Sequence, residues 1–161
     1  MNNPVDLVIG SEIKFDYKPD PIPYQCRLSY KMTIIALLIG CTSSGRGGVS
    51  LSKIHLISTY MYSEKERDSL LNYLERKSGS YVMLRYDPLV NKVMEFLIAD
   101  KITYQQKNGY FRLTEKGKAY VDKIIKENGL LVEEKEFINK IGKNLPESQI
   151  KEIEGALMAQ C

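Results

Sequence analysis

The chain has 161 residues, of which 43% are hydrophobic and 27% charged, and a formal net charge of +3. That length fits one domain with extensions or two very small ones, and the apolar content is enough for a buried core. A membrane helix is not expected, because no stretch reaches the roughly 20 apolar residues of a span and the best run, Ile34 to Ile39, is far shorter.

The first segment alternates. Ile13, Phe15 and Tyr17 are interleaved with Glu12, Lys14 and Asp16, the pattern of a short half-buried strand. Pro19, Pro21 and Pro23 then stiffen the chain toward extended conformations. Residues 1–24 therefore read as an extended leader and proline-rich linker. Such a strand cannot bury its apolar side alone; it folds back on its own core, the simpler expectation, or adds to a partner's sheet edge. No basic region followed by a long apolar one opens the chain, so a secretory signal is not expected. Cys26, Cys41 and Cys161 are too scattered for a disulfide framework or a zinc-spaced pair, which suits a cytoplasmic protein.

Residues 25–127 read as one unit. Leu28, Met32, Ile35 and Leu38 or Ile39 fall at helical spacing, with Ser29 and Thr33 marking the less apolar side. The run Thr42 to Gly48 ends that helix. It lacks the lysine and Ser/Thr of a nucleotide-binding loop and follows a helix rather than a strand, so it reads as a connector. Val49-Ser50-Leu51 suits a short strand, and Ser50 or Ser52 can cap a helix carrying Ile54, Ile57 and Met61. Ser63 with Glu66 forms a capping-box pattern ahead of Leu70, Leu71 and Leu74. Gly79 breaks that helix, and Val82, Leu84 and Tyr86 read as extended. Asp87 then caps a helix with Pro88 at its first position. Leu89, Val90, Val93, Met94, Phe96, Leu97 and Ile98 cover most of its circumference, so it reads as packed on more than one side.

Ile102 and Tyr104 restart the pattern at period two. Lys107-Asn108-Gly109 is a turn, Tyr110 to Leu113 returns as a second strand, and Thr114 caps a helix carrying Tyr120, Val121, Ile124 and Ile125. Helix, hairpin and helix in this order are the back half of a winged helix-turn-helix. The expected fold is thus mainly α with a small β-hairpin (α+β): a winged helix-turn-helix core with extra helices. Residues 128–161 follow as a C-terminal helical extension with two apolar stripes. One is Phe137, Ile138 and Ile141; the other is Ile150, Ile153 and Leu157, started by Pro146. Stripes that follow a finished unit are either ordinary core or candidate partner surface, for which Phe137, Ile141, Ile150, Ile153 and Leu157 are the residues at stake.

Chemistry is sparse. His55 is the sole histidine, no nucleophile or metal-ligand motif stands near it, and a catalytic role or bound cofactor is not expected. The basic bias is local: five cations against the single Glu115 give Lys101 to Lys118 a net +4, so the remainder of the chain sums to −1. Lys107, Arg112, Lys116 and Lys118, with Lys92 on the preceding helix, are candidate contacts to a DNA backbone; an acidic protein surface or plain solvation would suit them equally. The Pro88 helix offers only Asn91, Lys92 and Glu95 to a groove, a poor set for reading bases.

The helix SYKMTIIALLIG, the LSKIHLI helix, the segment YDPLVNKVMEFLIADKI and the hairpin NGYFRLTEKGKAYVDKI together resemble the small middle component of bacterial ABC-three-component conflict systems, which include Lamassu-type anti-phage and anti-plasmid defence. The likeness covers roughly residues 29 to 125. It implies a non-enzymatic adaptor that holds together an SMC-like ABC ATPase and an effector, often a nuclease, with no catalytic residues to carry over. The competing reading is a winged-helix transcription regulator, which would dimerise on a palindromic site.

Overall fold

The computed structural model describes residues 23–43 and 47–158. The proposed leader strand at Ile13, Phe15 and Tyr17, with Pro19, Pro21 and Cys161, lies outside the described residues, as do Ser44, Gly45 and Arg46 and the side chains of Lys143, Leu157 and Met158. After a short 3-10 turn at Tyr24–Cys26 come α1 (Leu28–Thr42), α2 (Leu51–Tyr60), α3 (Glu64–Leu74) and α4 (Pro88–Ala99). The hairpin β1 (Thr103–Gln105) and β2 (Phe111–Leu113) follows, then α5 (Glu115–Lys126), α6 (Val132–Asn144) and α7 (Glu147–Met158). The fold is mainly helical with one antiparallel two-stranded hairpin, as the sequence pattern predicts.

Local chemistry sets the helix starts. Ser50, Ser63, Asp87 and Thr114 each accept a hydrogen bond from a backbone N–H inside the first turn of α2, α3, α4 and α5. Each satisfies a donor the helix cannot satisfy itself. Half of the expected capping box is formed: Ser63 takes the Glu66 N–H, but the Glu66 carboxylate pairs with Arg85 at 3.2 Å. The hairpin turn is wider than two residues. The Gln106 N–H bonds Tyr110 O at 2.7 Å, and Gly109 adopts φ +84°, a conformation open to glycine at little cost. Val49 joins the far edge of β2 by an isolated antiparallel bridge, exchanging both backbone hydrogen bonds with Phe111. The expected strand at Val49 to Leu51 is therefore a single bridged residue, and Val82 to Tyr86 carries no regular structure although Leu84 is buried.

The core is built around α1. Its sequence pattern predicts one apolar face, yet every side chain from Ile34 to Ile39 is buried. The reason is tertiary: α2, α4, α5, α6 and β2 all contact this helix, so it has no solvent side along that stretch. Close approach needs small residues. A Cβ at Gly117 would sit 2.0 Å from the Ile102 carbonyl oxygen, and one at Gly142 would sit 3.1 Å from that of Cys41. The first lets α5 lie against the hairpin root; the second lets α6 lie against α1.

The C-terminal stripes need correction. Phe137, Ile141, Ile150 and Ile153, candidates for a partner surface, are buried in the same core as α1, α2 and α4. The Leu157 side chain is outside the described part. Residues 128–158 thus share one apolar interior with the preceding unit rather than forming an appended layer, because α6 covers a side of α1 that the earlier helices leave open. The expectation for α4 changes too. It buries Val90, Val93, Met94 and Leu97, whereas Phe96 and Ile98 are 40% and 42% exposed. It packs through one face.

Candidate functional site

Two polar regions were brought out by the fold: the hairpin with its flanking helices, and a partly buried node at the start of α4. The hairpin carries the sequence-predicted cations, which turn out to be unequal. Lys92 pairs with Glu95 at 2.8 Å, with its ammonium 5.6 Å from the Phe96 ring centre. Lys118 pairs with Glu115 at 2.6 Å. Lys116 donates to the Asp100 carbonyl at 2.7 Å, satisfying an acceptor at the C-terminus of α4. These three are i,i+3 pairs or a helix-end contact, and exposed pairs of that kind hold loosely.

Lys107, exposed at the hairpin tip, and Arg112 on β2 make no hydrogen bond or ion pair among the described residues. Arg112, half-buried, stands directly opposite Tyr104 in the strand register, on the same face, and Tyr104 is exposed. The hairpin therefore offers two unengaged cations beside an aromatic ring. That chemistry suits a phosphate backbone, an acidic protein surface or plain solvation equally.

The second region was only partly legible. His55 is fully buried, and both ring nitrogens are used: Nδ1 accepts the Asp87 backbone N–H at 3.1 Å, and Nε2 lies 3.0 Å from Asn91 Oδ1. Because a backbone N–H can only donate, Nδ1 is bare and the proton sits on Nε2, from which it is donated to Asn91. Burial pushes the imidazole below its ordinary range, against the opposing pull of the Asn91 bond and the Asp87 charge; Lys31 adds to the depression. Asp87 in turn receives the Leu89 N–H on Oδ1 at 2.9 Å, and Lys31 approaches its Oδ2 at 3.5 Å while donating to Ser58 Oγ at 3.1 Å. Residues from α1, α2 and α4 thus satisfy one another at one point. Asp87 was expected as a cap; Lys31, Ser58 and Asn91 were not expected to join it. The signal available was a lone lysine within the apolar run of α1.

A similar arrangement fixes α7. The buried Lys53 ammonium donates to the Leu145 carbonyl at 2.7 Å, and burial lowers its pKa against the opposing charge of Glu147. Glu147 accepts the Ser50 N–H at 3.1 Å, and Glu154 accepts from the hydroxyls of Ser52 and Tyr86. At α6, Tyr30 donates to the buried Glu134 at 2.9 Å; burial and that carboxylate raise the phenol well above its usual range. These groups are all consumed by the fold. A groove of about 1000 Å³ runs between α3 and the segment 79–85, with Tyr62, Glu64, Asp68, Tyr81 and Arg85 on its walls. It is open and of mixed charge. Among the described residues no group of three His, Cys, Asp or Glu could hold a metal ion, and no helix is long and apolar enough to cross a membrane.

The chain matches no protein-family model, no curated protein and no solved structure. Its functional reading rests on the resemblance carried by residues 29 to 125 and on the geometry above.

Proposed function

We propose that the chain is a winged-helix accessory subunit, non-catalytic and cytoplasmic, of a bacterial antiviral or anti-plasmid complex. In this reading it bridges an SMC-like ABC ATPase and an effector, and its hairpin makes weak, sequence-independent contact with duplex DNA. Helix, hairpin and helix in series, with Val49 bridged to the free edge of β2, support the winged-helix reading. The observation that carries the adaptor role is the outer face of α4, the helix that would enter a DNA groove. That face has its cation already paired with Glu95 and exposes Phe96, so it suits a protein surface better than base edges.

The regulator reading shares the two unengaged cations of the hairpin and differs in expecting a dimer that selects one site. Co-purification of the chain with the products of the genes beside its own separates the two. The adaptor reading expects a large coiled-coil ATPase and an effector to be retained together. A chain that purifies alone as a dimer, and selects one palindromic fragment from a genomic pool at physiological salt, would replace the first reading with the second.

A further inference from the structure

We propose that His55 is a proton-operated latch on the N-terminus of α4: when its imidazole takes up a second proton, it releases the Asp87 backbone N–H and turns to the Asp87 carboxylate, loosening the start of the helix. This is independent of the adaptor reading, since it concerns how the helix is held rather than what it meets.

The argument is one of donors and acceptors. In the neutral state Nδ1 is an acceptor, placed 3.1 Å from the Asp87 N–H. A proton on Nδ1 would set two donors against each other at that distance, and a buried N–H would lose its only partner. An acceptor whose charge already acts on the ring, the carboxylate of the same residue, can take the new Nδ1–H. Oδ1 is occupied by the Leu89 N–H and Oδ2 faces the Lys31 ammonium. An imidazolium therefore draws on the carboxylate that caps α4 and weakens its hold on the Leu89 N–H.

The groups facing the ring define its balance. Lys31 of α1 opposes a second positive charge, and Asp87 favours it. Tyr86 sets its ring edge-on to the imidazole, centres 5.0 Å apart, and its hydroxyl donates to Glu154 of α7 at 3.3 Å. Asn91 of α4 is uncharged and accepts from Nε2 in either protonation state. The change is confined to the helix start, because Val90, Val93 and Leu97 hold the rest of α4 in the core.

His55 being the sole histidine, nitrogen-resolved NMR on the intact chain reads its tautomer and titration without any substitution. The expected result is a bare Nδ1 at neutral pH. Below about pH 6.5 the ring takes its second proton, and the Asp87 and Leu89 amides exchange roughly tenfold faster in the same transition, corrected for intrinsic rate, while those of Ile35 to Leu38 keep their protection. N91D, which sets a carboxylate against Nε2, should carry both changes to higher pH together. Four results overturn the latch: a protonated Nδ1 at neutral pH, amide exchange at Asp87 that ignores the titration, loss of the central-helix amides in the same step, or unfolding before the ring protonates.

Discussion

The start of α4 and the tip of the hairpin are both polar, and they use polarity in opposite ways. At the first, Lys31, His55, Ser58, Asp87 and Asn91 are drawn from three helices and spend their donors and acceptors on one another. At the second, exposed Lys107 and half-buried Arg112 have no partner among the described residues. Buried polar groups must be satisfied because each unmade bond costs the full desolvation of the group, while exposed ones are satisfied by water. Charge in the first region therefore holds three helices in register. Charge in the second is available to a ligand. The same residue type, lysine, serves in both, and only its surroundings tell the roles apart.

The apolar frame that both regions share should be the most sensitive to change. I141D and I153D place a carboxylate where the side chain is buried, and each is expected to lose about 4 kcal/mol or more, enough to unfold much of a small domain. Urea denaturation checks this; a folded I153D chain would return the α7 stripe to the role of an accessory surface. G117A comes next. The added methyl must displace the Ile102 carbonyl that joins hairpin and α5, at about 2–3 kcal/mol. If the midpoint of its denaturation curve matched that of the parent, the close packing of those two elements would be in error.

D87A tests the node itself. It removes the α4 cap and the carboxylate beside the Lys31 ammonium, which keeps only Ser58; a loss of about 2 kcal/mol is expected by calorimetry. The node also implies a pH dependence. The folded pKa of His55 lies below its unfolded value, so the unfolded chain binds more protons as the medium is acidified. Stability is complete above the ordinary histidine range near 6.5 and falls as pH drops below it, by at most about 1.4 kcal/mol per pH unit from this group. H55L should flatten that slope in thermal melts even though it also lowers overall stability.

The smallest effect on the fold belongs to the hairpin, and it sharpens the comparison most. K107E with R112E should change stability by under about 0.5 kcal/mol. Duplex binding should weaken equally on random and specific fragments, and removing two phosphate contacts should reduce the slope of log affinity against log salt by about 2. Equivalent loss from K92A, whose cation is already paired, would shift the contact from the hairpin to the face of α4.

Several features were readable from residues alone because their causes are local. Asp87-Pro88, Ser63 and Thr114 start helices through bonds within a single turn, and Lys107-Asn108-Gly109 reverses the chain through the backbone freedom of Gly109. The concentration of cations between Lys101 and Lys118 is a property of composition and needs no fold. The tertiary structure decided the rest, because burial and pairing depend on what arrives from elsewhere in the chain. It enclosed α1 on every side between Ile34 and Ile39, and it drew Phe137, Ile141, Ile150 and Ile153 inward where their spacing alone left partner surface open. It engaged Lys116 with the Asp100 carbonyl, whereas the i,i+3 pairs of Lys92 with Glu95 and Lys118 with Glu115 are local to their helices. And it joined Lys31, His55 and Asp87, far apart in sequence, at the one point where a buried lysine, a bare ring nitrogen and a helix cap could satisfy each other.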